Sequence, residues 1–201
     1  MKGNSDNILT IEALKTGFRT GSAEKILLEN FSTAVSRGRL IAVIGKNGSG
    51  KSTLLRTITG MQEPLSGRIL LDGEAASGYG RMELARKVSY ISTEPVKVSN
   101  MNVYELVSLG RFPYTNWTGK IDRTSHLAII EALEKTGMKE MIASLIGELS
   151  DGERQRAMIA RVMAQETMLM IMDEPTAFLD IGSKFEILHL DRKSVVEGKS
   201  V

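Results

Sequence analysis

The sequence predicts an α/β fold on a parallel sheet, with an antiparallel β layer and a helical subdomain, and three observations carry that prediction. A glycine-rich loop, Gly45-Lys46-Asn47-Gly48-Ser49-Gly50-Lys51-Ser52-Thr53, sits between an apolar β-branched run and a short helical period. A second apolar run, Thr167-Met168-Leu169-Met170-Ile171-Met172, ends on the adjacent carboxylates Asp173 and Glu174. Between them, helical periods alternate with glycine- and proline-marked loops. A continuously apolar run such as 167–172 is the pattern of a strand inside a parallel sheet.

In chain order, residues 8–14 and 25–31 are predicted strands joined around residues 17–23. Leu40-Ile41-Ala42-Val43-Ile44, bounded by Gly38 and Gly45, is a predicted buried strand leading into the loop. Leu54, Leu55 and Ile58 give a short helix stopped at Gly60, and residues 68–72 a further strand closed by Gly73. A helix over 81–87 and a strand over 88–91 follow. Residues 101–110 predict a helix with apolar positions 103, 106, 107 and 109 and Gly110 as its stop. Residues 111–119, with Phe112, Tyr114 and Trp117, predict an aromatic loop. The next helix spans 122–136, with Asp122 as N-cap and Leu127, Ile130 and Leu133 on its apolar face. The predicted boundaries are a core of 1–95 and 155–190 and a helical subdomain of about 100–150, in one domain.

The loop's residue types answer to phosphate chemistry. Its glycines admit backbone conformations closed to other residues and let main-chain N–H groups approach a ligand. Those groups and the following helix N-terminus converge on phosphate oxygens. Lys51 supplies a point charge for the β- and γ-phosphates, and the Ser52 hydroxyl is placed to ligate Mg²⁺.

The apolar run 167–172 reads as a strand of a parallel sheet buried on both faces, with its methionines as core filler. Strand tips of such a sheet face the ligand crevice. There Asp173 can hold Mg²⁺, and Glu174 can orient and deprotonate an attacking water. Leu149-Ser150-Asp151-Gly152-Glu153-Arg154-Gln155 precedes a helical period at Met158, Ile159 and Val162. A serine and a glycine at a helix start offer a hydroxyl, free amides and the positive dipole end to an anion; the same serine is also an ordinary N-cap.

Bulk properties narrow the function classes. The 201 residues suffice for one sizeable core, and 42% hydrophobic with 25% charged residues is an ordinary globular balance. A formal charge of +2 argues against nucleic acid as a partner. The chain has no cysteine, which excludes disulfides and thiol chemistry and fits a reducing compartment. No apolar run reaches the about 20 residues of a membrane span, and the N-terminus lacks a secretory core. A soluble, cytoplasmic chain is expected.

The loop 45–53, the segment 149–155, Asp173-Glu174-Pro175-Thr176 and Phe178-Leu179-Asp180 together resemble an ABC-type ATPase, a P-loop NTPase with a RecA-like core. The resemblance spans about residues 8–190 and identifies the chain as similar to the nucleotide-binding subunit of an ABC transporter. It implies ATP and Mg²⁺ as ligands and a head-to-tail homodimer sandwiching two ATPs. Ser150 and Gly152 of one copy would contact the γ-phosphate held by Lys51 of the other, with Asp180 at that interface. Phe18 would stack on adenine. Transmembrane permease subunits would couple through the helical subdomain, and a substrate-binding protein would act indirectly. The implied location is the cytoplasmic face of the cell membrane, peripherally. The stretch 103–119 is similar to importer ATPases for iron-siderophore, haem and cobalamin-type cargo.

Two departures qualify the resemblance. Where the family usually has a glutamine touching Mg²⁺, this chain has Thr93, followed by Glu94, which puts that metal contact and relay in doubt. No strand followed by a histidine comes after Asp180; His126 and His189 are in the wrong helices and read as surface residues. Residues 191–201 resemble translated sequencing-adaptor DNA and are expected to be non-native. The chain is accordingly expected to bind ATP weakly, hydrolyse it poorly and expose a sheet edge. The other readings are a soluble ABC-type ATPase uncoupled from transport and a hydrolysis-deficient fragment. No heptad array lies between the loop and Asp173, which disfavours a DNA-repair type.

Overall fold

The computed structural model describes residues 6–21, 23–92, 100–116 and 119–173. They form two compact units that meet in sequence between Leu84 and Ala85.

In the first unit, β1 (Asn7–Thr20) and β2 (Ala23–Ser36) form a long antiparallel hairpin. With β3 (Ser66–Leu71) and β4 (Glu74–Ala75) they make an antiparallel sheet in the order β2-β1-β3-β4. The two predicted strands were thus too short. Phe18 and Lys25 are ladder partners where the sequence suggested a joint. β2 is an edge, and its residues are largely exposed. The helix α1 (Lys51–Ile58) places Leu54 and Ile58 in the core with Ile8, Ile11, Leu14, Ile69 and Leu71.

Residues 40–44 overturn an expectation. Instead of a buried strand they are irregular and exposed, with Ile41 at 56% and Ile44 at 92%. Among the described residues no strand pairs with them. An apolar run of this kind becomes a buried strand only where neighbours take its N–H and C=O groups on both sides.

α2 (Arg81–Lys87) carries the chain from the first unit into the second, where β5 (Val88–Ile91) pairs in parallel with β6 (Leu169–Met172). The parallel pairing matches the sequence reading, but the burial does not. Met170 is exposed, and among the described residues β6 has a strand neighbour on one side alone.

α3 (Val103–Ser108) opens with a capping box between Asn102 and Glu105. A 3₁₀ helix, Leu109–Tyr114, then extends it through the predicted stop and into the predicted loop. Gly110 is not a stop. A Cβ there would lie 2.0 Å from the Arg161 carbonyl oxygen, so the glycine permits a close backbone crossing with α5 (Asp151–Ala164). α4 (Arg123–Lys135) has the expected cap, with the Asp122 carboxylate accepting from Ser125 N–H at 2.7 Å. That bond, first among the causes, holds the Asp122 carboxyl below its usual range. The buried hydrophobic face of α4 is Ala128, Ile129, Ala132 and Leu133; of the predicted face Leu133 is buried, Ile130 half-buried and Leu127 exposed. His126 is a surface residue, as expected, and its Nδ1 meets the Tyr104 hydroxyl at 2.8 Å.

α5 has two working faces. Ala157, Met158, Ala160 and Ala164 join Val103, Leu106, Val107, Ile129, Leu133, Met138, Ile146 and Leu149 in one helical core. Ile159 and Val162 instead cover Ile91 of β5, with Met172 of β6 packed against them. The C-terminal end of α5 is held by the segment read as an aromatic loop. Arg111 donates to the Ala164 carbonyl (2.8 Å) and to Glu166 (2.6 Å) and stacks on Tyr114, whose hydroxyl donates to the Gln165 carbonyl (2.9 Å). Gln165 in turn donates to the Val88 carbonyl at 3.3 Å. The turn from α5 to β6 is therefore tied to the start of β5.

Candidate functional site

In the first unit, residues 45–50 form a turn-rich loop leading into α1. Gly48 and Gly50 have φ of 79° and 91°, the region where a side chain would be strained. Gly50 caps α1 with no side-chain hydrogen bond, and the first turn holds no acidic residue. The amides of Lys51, Ser52 and Thr53 at this helix start therefore suit an anion. The Lys51 ammonium curls back over the loop, donating to the Gly45 carbonyl (2.9 Å) and the Lys46 carbonyl (3.0 Å). Its charge is thereby held against the glycine loop. Gly45, Lys46, Asn47, Gly48 and Ser49 are exposed, while Ser52 is half-buried and Thr53 buried. Phe18, also in this unit, is half-exposed on the hairpin.

In the second unit, Asp173 comes directly off β6. It is buried, and its backbone N–H extends the ladder by donating to the Ile91 carbonyl at 2.9 Å. Its carboxylate Oδ2 accepts from the Tyr90 hydroxyl at 3.1 Å. Ser150 caps α5, its hydroxyl accepting from Glu153 N–H (3.3 Å) while the Glu153 carboxylate accepts from Ser150 N–H (2.8 Å) and Oγ (2.7 Å). The hydrogen bonds from Ser150 hold the Glu153 carboxyl below its usual range. Gly152 sits in the first turn of α5. Ser150 is exposed at the start of α5, with its N–H and hydroxyl both donating to the Glu153 carboxylate, so the structure shows its N-cap role.

Glu174, Asp180, Thr93, Glu94, Trp117, His189 and residues 191–201 lie outside the described residues. Ser52 in the first unit offers a hydroxyl and Asp173 in the second a carboxylate, each a hard oxygen donor of the type that suits Mg²⁺. Tyr90 is the residue that sequence reading missed. The available signal was a polar-tipped aromatic near the C-terminal end of a parallel strand.

A family model described as "ABC transporter" matches residues 28–177. This chain belongs to that family. Its relatives include the iron(3+)-hydroxamate import ATP-binding protein FhuC of Bacillus subtilis, 35% identical, with 97% of this chain and 71% of the relative covered. The ferric enterobactin transport ATP-binding protein FepC of Escherichia coli is 36% identical, with 85% and 63% covered. The chain thus spans about two-thirds of these relatives' lengths. Among solved structures, cbiO1 of Clostridium perfringens, part of the ABC transporter complex cbiONQ, superposes with a TM-score of 0.81. It is 31% identical, with 96% of this chain and 75% of that one covered. The ABC fold is thereby established for this chain, in agreement with the α/β expectation from sequence.

Proposed function

We propose that this chain is the ATP-binding and ATP-hydrolysing subunit of an ABC importer with iron-siderophore cargo. Haem and cobalamin-type cargo are the other two classes its 103–119 stretch suggests. The observation that carries the reading is the uncapped start of α1 behind a glycine loop, with Lys51 drawn over that loop. The names of the similar iron-hydroxamate and enterobactin ATP-binding proteins support the cargo class.

In this reading the amides of residues 48–53 and the Lys51 ammonium bind the β- and γ-phosphates, and Phe18 stacks on adenine. Lys51 has to exchange its carbonyl partners for phosphate oxygens. Ser52 and Asp173 hold Mg²⁺, with Thr93 as a further contact. Mg²⁺ supplies neutralisation of charge on the phosphates. Glu174 orients the attacking water and takes its proton. Ser150, Gly152 and Asp180 act across a head-to-tail homodimer, so ATP closes the pair. Permease subunits couple to the helical subdomain, which places the chain peripherally on the cytoplasmic membrane face. A substrate-binding protein acts upstream of them.

A second reading, a hydrolysis-deficient nucleotide binder, draws support from residues 40–44. A loop whose leading segment sits in no described ladder is less rigidly held. One experiment separates the readings: fluorescent ATP-analogue binding and phosphate release on the purified chain, beside Lys51→Ala and Glu174→Gln. Binding lost in Lys51→Ala, with release lost in Glu174→Gln, supports the first reading. Binding without measurable release in the parent chain supports the second. Binding unaffected by Lys51→Ala removes both.

A further inference from the structure

The buried carboxylate of Asp173 has two anchors, and the second one has no part in the chemistry above. Its backbone is placed by the ladder: β5 and β6 pair Val88 with Leu169, Ser89 with Met170, Tyr90 with Ile171 and Ile91 with Met172. A Thr167–Ser89 hydroxyl bond of 2.8 Å pins the start of this register, and the Asp173 N–H to Ile91 carbonyl bond closes its end. The ladder sets the Asp173 Cα but leaves its carboxylate free to rotate.

The carboxylate is met by Tyr90. Tyr90 is registered opposite Ile171, two residues before Asp173, so the distance to cover along the strands is about 6–7 Å. Serine or threonine on β5 would fall short of that span. The tyrosine ring covers it with a rigid body and two torsions, and delivers its hydroxyl to Oδ2 at 3.1 Å.

We propose that Tyr90 is a positioning residue for Asp173: its hydroxyl occupies Oδ2 and fixes the carboxylate plane, leaving Oδ1 to face Mg²⁺. This rests on the reading of Asp173 as a metal ligand. A carboxylate held on one oxygen presents the other in a single direction, which lowers the entropy lost when the ion binds. A buried carboxylate also needs a hydrogen bond for its own sake, so the test has to move something a merely satisfied carboxylate would not.

The experiment uses the full chain and a fluorescent ATP analogue, titrated at rising Mg²⁺ and, separately, in excess chelator. Tyr90→Phe keeps the ring and removes the hydroxyl. It is expected to raise the Mg²⁺ concentration for half-maximal effect roughly tenfold, the low end for losing a partner of a ligating carboxylate. Analogue binding in chelator should not change. Asp173→Asn should shift the Mg²⁺ dependence at least as far, and the double variant should match Asp173→Asn alone. A Tyr90→Phe shift under about twofold beside a large Asp173→Asn shift overturns the inference and leaves the metal reading standing. Additive shifts in the double variant also overturn it, since Tyr90 would then act by loosening the fold. No shift in Asp173→Asn removes the metal reading and the inference with it.

Discussion

Two apolar runs of similar composition meet opposite fates in this molecule. Leu40-Ile41-Ala42-Val43-Ile44 lies ahead of the phosphate loop, irregular and exposed. Leu169-Met170-Ile171-Met172 is β6, in register with β5 and delivering Asp173. Hydrophobicity does not separate them; neighbours do. β6 has a strand alongside it, and Met172 packs with Ile159 and Val162 of α5. The other run has no strand alongside it among the described residues. A strand is a shared structure, and an apolar sequence supplies half of it.

The surroundings of β6 can be broken most severely at the close crossing of α5. Gly110→Ala sets a methyl group 2.0 Å from the Arg161 carbonyl oxygen, and the backbones have to part. The expected loss is about 3 kcal/mol or more, read as a lower urea midpoint with lost near-UV signal. Ile171→Ala, at a site 7% exposed, should cost about 2–3 kcal/mol by the same denaturation.

The capping of α5 offers a smaller and pH-dependent effect. Hydrogen bonds from Ser150 lower the Glu153 carboxyl from 4.5. The stabilisation is therefore present above the unfolded value and is lost as pH falls through the folded one. Thermal unfolding from pH 6 to pH 3 should show this loss in the parent chain and a shallower one in Ser150→Ala.

The smallest effect sharpens the comparison itself. Ile44→Lys, at a residue 92% exposed, should change the unfolding free energy from urea denaturation by less than about 0.5 kcal/mol. A loss as large as that of Ile171→Ala would mean that residues 40–44 have a packed partner.

Local chemistry was legible where it is local. Asp122 and Ser150 cap their helices through their own next turn, a contact that spacing alone dictates. The glycine loop needs only Gly48, Gly50 and the start of α1. The face of α4 was legible only at Leu133: Leu127, more apolar than Ala128, points out because Ile129, Ala132 and Leu133 face the helical core. Gly110 read as a stop, since nothing in its neighbourhood announces that α5 will cross there. Tyr90 was not singled out within the strand 88–91, because its partner lies far away in sequence.

By itself, then, the sequence determined the caps at Asp122 and Ser150, the glycine loop ahead of Lys51, and the strand that leads to Asp173. These depend on residues within a turn or two of each other. The tertiary structure alone decided which apolar run joins a sheet, which face of α4 is buried, why Gly110 carries no side chain, and which hydroxyl holds Asp173. Each of those depends on what another part of the chain brings alongside, and burial and ladder pairing belong to both partners at once.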